Sequence, residues 1–144
     1  MNRLKALYQK VAREFAERVA SELDREIQAV VLYGSVARGE AIGESDIDML
    51  IVTPHKDAIR AKVVEIEEDI DSASNYQTFL TSIYLTPEEV CDLASAGSPY
   101  MLDVLDQGVV LYDDGSFAGI RETILAARRR DVGRRAPHAP TRTA

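Results

Sequence analysis

The chain has 144 residues, enough for one domain with a self-sufficient core and no covalent staples. With 46% hydrophobic and 28% charged residues it reads as an ordinary globular protein, and its apolar runs are far too short to span a membrane. Seventeen basic against twenty-four acidic residues give a net charge of −7, which argues against long nucleic acid as the main ligand.

In chain order, Leu4, Leu7, Val11, Phe15, Val19, Leu23 and Ile27 recur at three- and four-residue steps, the stripe of one long amphipathic helix. Asn2, Arg3 and Lys5 open that helix with no signal-peptide pattern, so the cytoplasm is the expected location. The run Ala29 to Tyr33 predicts a strand that stops at Gly34, followed by one helical turn and a loop. Asp46 to Val52 predicts a second strand, buried on both faces beyond its carboxylates. A helix opening at Pro54 carries the stripe Ile59, Val63, Ile66 and Ile70, and Gln77 to Leu85 predicts a third strand. Thr86, Pro87 and Glu89 form a helix start with a capping box. That helix is expected to end near Gly97, and another runs from Pro99 to just before Gly108. Cys91, the only cysteine, reads as a small buried residue and excludes an internal disulfide. Val109 to Tyr112 is a short fourth strand and about Phe117 to Arg130 the last helix. Residues 131–144, rich in Arg and Pro, are expected to be a disordered tail behind a domain of residues 1–130. The order α-β-β-α-β-α-α-β-α makes an α/β or α+β domain around a small sheet.

The stretch Tyr33 to Val52 carries the chemistry. Gly34 ends a strand where a phosphate can approach bare backbone, and Ser35 begins a turn whose hydroxyl and amides converge. Asp46 and Asp48, two apart on a strand, project from one face while Ile47 goes to the other. Two convergent carboxylates without His or Cys form a hard oxygen site suited to Mg²⁺, which fills its shell with water and substrate phosphates. A phosphate cradle beside such a clamp is what nucleotidyl transfer needs.

The spacing Gly-Ser, ten residues, Asp, one residue, Asp, then an apolar strand resembles the signature of the nucleotidyltransferase superfamily that includes the DNA polymerase β palm. Arg38-Gly39 inside the gap and Ser45 directly before Asp46 agree with it. The chain length, the leading helix, LTPEE at Leu85 to Glu89 and SPYMLDVLDQGVVLYDD at Ser98 to Asp114 are similar to the minimal nucleotidyltransferases, the MntA-like antitoxin partners of HEPN proteins. The resemblance covers roughly residues 1 to 115. It implies a polymerase-β-like fold with a small mixed sheet flanked by helices. It also implies ATP as substrate, Mg²⁺ as cofactor, and AMP transfer to a hydroxyl of a HEPN protein encoded nearby. Asp46 and Asp48 become the catalytic and metal-binding residues, and Gly34, Ser35, Arg38 and Ser45 the nucleotide-binding set. Assembly into a homo-oligomer stays open.

One part of the superfamily pattern is missing. Active members carry a third carboxylate on a later strand, and the third strand here has Thr78, Thr81 and Ser82 but no acid. Glu65, Glu67, Glu68, Asp69 and Asp71 read as the solvated face and end of a helix. Thr78 and Ser82 make the more polar face of the strand and are expected to face the two aspartates. Losing a positioned general base costs about 10²–10⁴ in rate. Three readings follow: transfer to a protein hydroxyl, a nucleotide-binding antitoxin acting by contact alone, and, least favoured because the chain lacks room for an acceptor domain, a small-molecule nucleotidyltransferase.

Overall fold

The computed structural model describes residues 2–41 and 46–135. Helix α1 (Asn2–Leu23) leads into a single 3-10 turn, Asp24–Glu26. Then come β1 (Ala29–Tyr33), the short α2 (Gly34–Ala37), β2 (Ile47–Val52), α3 (Lys56–Ala73) and β3 (Leu80–Leu85). The chain continues through α4 (Pro87–Ser95), α5 (Pro99–Gln107), β4 (Val109–Asp113) and α6 (Ser116–Arg135). Among the described residues, no helix is long and apolar enough to cross a membrane.

The four strands form one mixed sheet in the order β3-β2-β1-β4. β1 runs antiparallel to both β2 and β4, while β2 and β3 are parallel and joined by the α3 crossover. Because side chains alternate along a strand, each of the two central strands feeds two cores. Val30, Leu32, Ile47, Met49 and Ile51 pack with Tyr8, Phe15 and Val19 of α1 and Ile59, Val63 and Ile66 of α3. Ala29, Val31, Leu50 and Val52 pack on the other side with Val90 of α4, Met101, Val104 and Leu105 of α5, and Phe117 of α6. The result is a three-layer sandwich with α1 and α3 on one face and α4, α5 and α6 on the other.

The α4 capping box forms as expected: Thr86 Oγ1 accepts from Glu89 N (3.1 Å) and the Glu89 carboxylate accepts from Thr86 N (2.8 Å). Four boundaries differ by more than one residue, the first being that α1 ends at Leu23, so Ile27 lies beyond the helix it was expected to belong to. The helix expected at Pro54 starts two residues later, because Thr53 is buried with its hydroxyl donating to Glu26 O and accepting from His55 N, which holds the chain extended. The third strand starts at Leu80 rather than Gln77, since residues 74–77 are taken up by turns around Asp71. The last helix continues to Arg135, five residues past its expected end, through arginines that are good helix formers. Residues 131–135 are therefore helical rather than part of a disordered tail, and 136–144 lie outside the described residues. Cys91 is partly rather than fully buried, on the side of α4 toward α6.

Candidate active site

The site is assembled where β1 ends and β2 begins. Their antiparallel register places Tyr33 opposite Asp48, so the turn after β1 lies against the first acidic residue of β2. Gly34 takes φ +79°, a left-handed conformation that costs other residues energy. It is also a place where a side chain has no room: a Cβ built on Gly34 would stand 2.4 Å from Asp48 Oδ2 and 3.3 Å from its Cγ. Ser35 follows on α2, whose turn closes through Arg38 N to Gly34 O (3.2 Å) and Glu40 N to Ser35 O (2.8 Å).

Asp48 shares the β2 face of Leu50 and Val52, and it stands near the end of the strand, where it is only partly buried. Burial raises its pKa above the ordinary carboxylate value; the Thr81 hydroxyl opposes this, and the charge of Asp46 adds to the rise. Asp46 itself is exposed, in the residue before the strand. Thr81 is the β3 residue paired with Asp48, and its hydroxyl donates to Asp48 Oδ1 at 3.0 Å.

The β1 side of Asp48 is walled by Tyr33 at the end of β1, Arg38 just after α2, and residues of α5. Tyr33 and Tyr100 meet edge to face, with ring centroids 5.5 Å apart and planes at 87°. Burial raises the pKa of both phenols, and the charge of Asp48 adds to it. Arg38 ion-pairs with Glu40 (2.9 Å) and with Asp103 of α5 (3.7 Å), and its charge also reaches Asp48. On the β3 side the same sheet face is open, with Phe79 and Ile83 exposed on either side of Thr81.

The donor set suits a hard divalent cation that arrives with its own ligands. Two carboxylates converge, one of them with Oδ2 lying against a glycine whose missing side chain leaves a cradle at that oxygen. Among the described residues, no group of three or more His, Cys, Asp or Glu gathers anywhere in the fold. Among the described residues, Asp46 and Asp48 are the carboxylates that would hold a cation here, with its other positions left for water or phosphate.

Residues 12–89, more than half of the chain, match the nucleotidyltransferase domain family. The chain belongs to this family. Among solved structures it is similar to a chain of a toxin–antitoxin complex with AMP-PNP, at 15% identity and a TM-score of 0.50, the match covering 92% of this chain and 98% of that one. A mutant MntA–HpeT toxin–antitoxin complex matches at 14% identity and a TM-score of 0.53, with 92% and 98% covered. At such identities the likeness is one of fold: a small mixed sheet flanked by helices. None of the curated proteins matches the sequence.

Of the residues this nucleotidyltransferase was expected to use, the structure brings Gly34, Ser35, Arg38, Asp46 and Asp48 to one end of the sheet. Ser45 lies outside the described residues. The expected face of β3 is corrected: Thr78 and Ser82 do not face the aspartates. Thr78 is buried and donates to Asp71 Oδ1 (2.9 Å), and the Ser82 hydroxyl donates to Glu67 Oε2 (2.6 Å). Leu80 and Tyr84, on the Ser82 face, are buried in the α1–α3 core, with the Arg60 guanidinium 4.4 Å above the Tyr84 ring. The polarity of that face serves acids of α3. Glu67 and Asp71 are accordingly not a solvated face: burial raises both carboxyls above their ordinary range. Tyr100 and Asp103 were missed as neighbours of the site. They sit on consecutive turns of α5, and only the packing of α5 on β1 brings them there.

Proposed function

We propose that this nucleotidyltransferase binds ATP with Mg²⁺ at Asp46 and Asp48, seats the triphosphate on the Gly34-Ser35 turn, and transfers AMP to a hydroxyl of a partner protein. The partner is proposed to be a HEPN-type toxin, and this chain its antitoxin, working in the cytoplasm. The observation that carries the reading is the contact between the turn and the carboxylate. Gly34 has no room for a side chain because Asp48 Oδ2 is there, so a phosphate on the turn and a cation on the carboxylate would be immediate neighbours. The fold likeness to a toxin–antitoxin complex that contains AMP-PNP supports the nucleotide and the partner class.

In the proposed reaction an acceptor hydroxyl oxygen attacks the α-phosphorus, the bond to the β-phosphate bridging oxygen breaks, and pyrophosphate leaves. Bound Mg²⁺ supplies charge neutralisation on the phosphate oxygens. Arg38, held toward the site by Asp103 and Glu40, adds positive charge beside Asp48. Ser45, next to Asp46, is assigned to nucleotide contact. The acceptor proton passes to solvent, since Thr81 stands beside Asp48 as a hydroxyl and is no base at neutral pH.

That same Thr81 favours a second reading, in which the pocket binds nucleotide but the protein silences its partner by contact. Incubation with labelled ATP, Mg²⁺ and the HEPN-type protein, followed by intact mass measurement, separates the two. A partner gaining one AMP per site with wild type and none with Asp46→Ala supports transfer. Partner inhibition without any mass gain supports contact alone.

A further inference from the structure

We infer that Thr81 is the positioning residue for Asp48, fixing the carboxylate so that Oδ2 is the oxygen presented to a divalent cation arriving with a triphosphate. The inference rests on the proposed assignment of Asp48 as a metal ligand. The two oxygens of Asp48 have different surroundings. Oδ1 accepts from the Thr81 hydroxyl at 3.0 Å, whereas Oδ2 lies over Gly34, against the proposed phosphate turn. With Oδ1 tied, the carboxylate is held from swinging its other oxygen away from the turn.

Thr81 is suited to this work by its place in the sheet. It is the direct Cα partner of Asp48 in the parallel β2–β3 ladder, so backbone hydrogen bonds on both strands hold the two side chains on one face. Its β-branched side chain restricts χ1, which gives the hydroxyl a fixed aim. Thr81 is solvent-exposed on an edge strand, where one more hydrogen bond does little for stability. The bond's effect therefore falls on orientation. With two carboxylates in the set among the described residues, ordering one of them matters more than it would in a fuller cage.

The test measures cation binding rather than turnover. Free Mn²⁺ is followed by electron paramagnetic resonance while wild type, Thr81→Val, Thr81→Ser and Asp48→Asn are titrated in the presence of AMP-PNP. Unliganded melting temperatures are recorded alongside. Thr81→Val keeps the shape and removes the donor; it should weaken Mn²⁺ binding about ten-fold, the usual effect of losing a group that orients a metal ligand. Thr81→Ser should bind close to wild type, and neither change should move the unliganded melting temperature appreciably. Thr81→Val binding like wild type, or Thr81→Ser binding as weakly as Thr81→Val, overturns the inference. Asp48→Asn tells which reading has failed. Full Mn²⁺ binding by that variant refutes the metal assignment and the inference with it. Loss of binding there, with Thr81→Val unaffected, refutes only the role of Thr81.

Discussion

Replacing Gly34 by alanine should do two separable kinds of damage, and their separation tests how the turn and the carboxylate are joined. An L-residue at φ +79° costs about 1–2 kcal/mol through its backbone alone. The new Cβ would also stand 2.4 Å from Asp48 Oδ2, closer than real Cβ contacts come, so the carboxylate must rotate. That rotation gives up the exposed Thr81 hydrogen bond, which adds little to stability, and pushes χ off its well for about 1 kcal/mol. The wild-type background should therefore lose about 2–3 kcal/mol, or about 8 °C in melting temperature for a chain of this size. In an Asp48→Ala background the oxygen is gone and the Asp48 Cβ lies at an ordinary 3.5 Å, so only the backbone cost remains. Urea unfolding of wild type, the two single variants and the double variant gives the coupling directly, expected at about 1 kcal/mol. Equal losses in both backgrounds would refute the steric link between the turn and Asp48.

Glu67 offers a test in pH. Burial raises its pKa in the folded chain, so the stability tied to its protonated form is present below the ordinary glutamate pKa and is lost as pH rises through the folded value. Glu67→Gln still accepts from Ser82 but cannot ionise; it should melt like wild type near pH 4 and above it at pH 7, and no gain at pH 7 would count against the burial argument. Asp71→Ala removes the acceptor of the Leu80 amide and of the Thr78 hydroxyl, which is left with the Ser74 hydroxyl at 3.2 Å. Hydrogen bonds to a charged group are worth about 1.5–3 kcal/mol each, and relief of the buried charge offsets part, so a loss of about 3 kcal/mol is expected by urea midpoint. A loss below about 1 kcal/mol would show that α3 and β3 are joined by packing alone. Thr81→Asp places a third carboxylate beside Asp46 and Asp48. By like-charge repulsion it should melt lower without metal and gain more from Mn²⁺ than wild type, whereas Thr81→Asn, tested in the same melts, should do neither.

Much of this arrangement is legible in the residues. The α1 stripe, the two central strands and the Thr86–Glu89 capping box follow from periodicity and local hydrogen-bond chemistry. So does the convergence at Gly34 and Asp48, because a strand ending in Gly and another starting with Asp-x-Asp needed only to pair antiparallel. What failed was the face of β3. Thr78 and Ser82 looked like a polar, outward face, since nothing in a strand's own sequence shows that acids from a preceding helix will lie against it. The register of β3 is set by the α3–β3 connection. There Asp71 accepts from Thr78 and Leu80, and Asn75 and Tyr76 adopt positive φ of 54° and 58° to turn the chain. Asn75 tolerates that conformation and hints at a turn, but Tyr76 carries no such signal, so the one-residue choice of face that the turn dictates was hidden. The same holds for Tyr100 and Asp103, which read as an ordinary first and second helical turn until α5 is docked.

The site and the fold are specified by one alternation. Ile47, Met49 and Ile51 fill the core beneath α1 and α3, while Leu50 and Val52 fill the core beneath α4 to α6. Asp48 belongs to the second set by parity, and it escapes full burial only because it lies at the strand's opening end. A one-residue slip of β2 would exchange the faces, sending the carboxylate toward Tyr8, Phe15 and Ile59, where an unpaired charge costs several kcal/mol. Both β2 neighbours oppose that slip, β1 with Tyr33 on Asp48 and β3 with Thr81 on Asp48. The apolar residues that drive folding thus also aim the carboxylate.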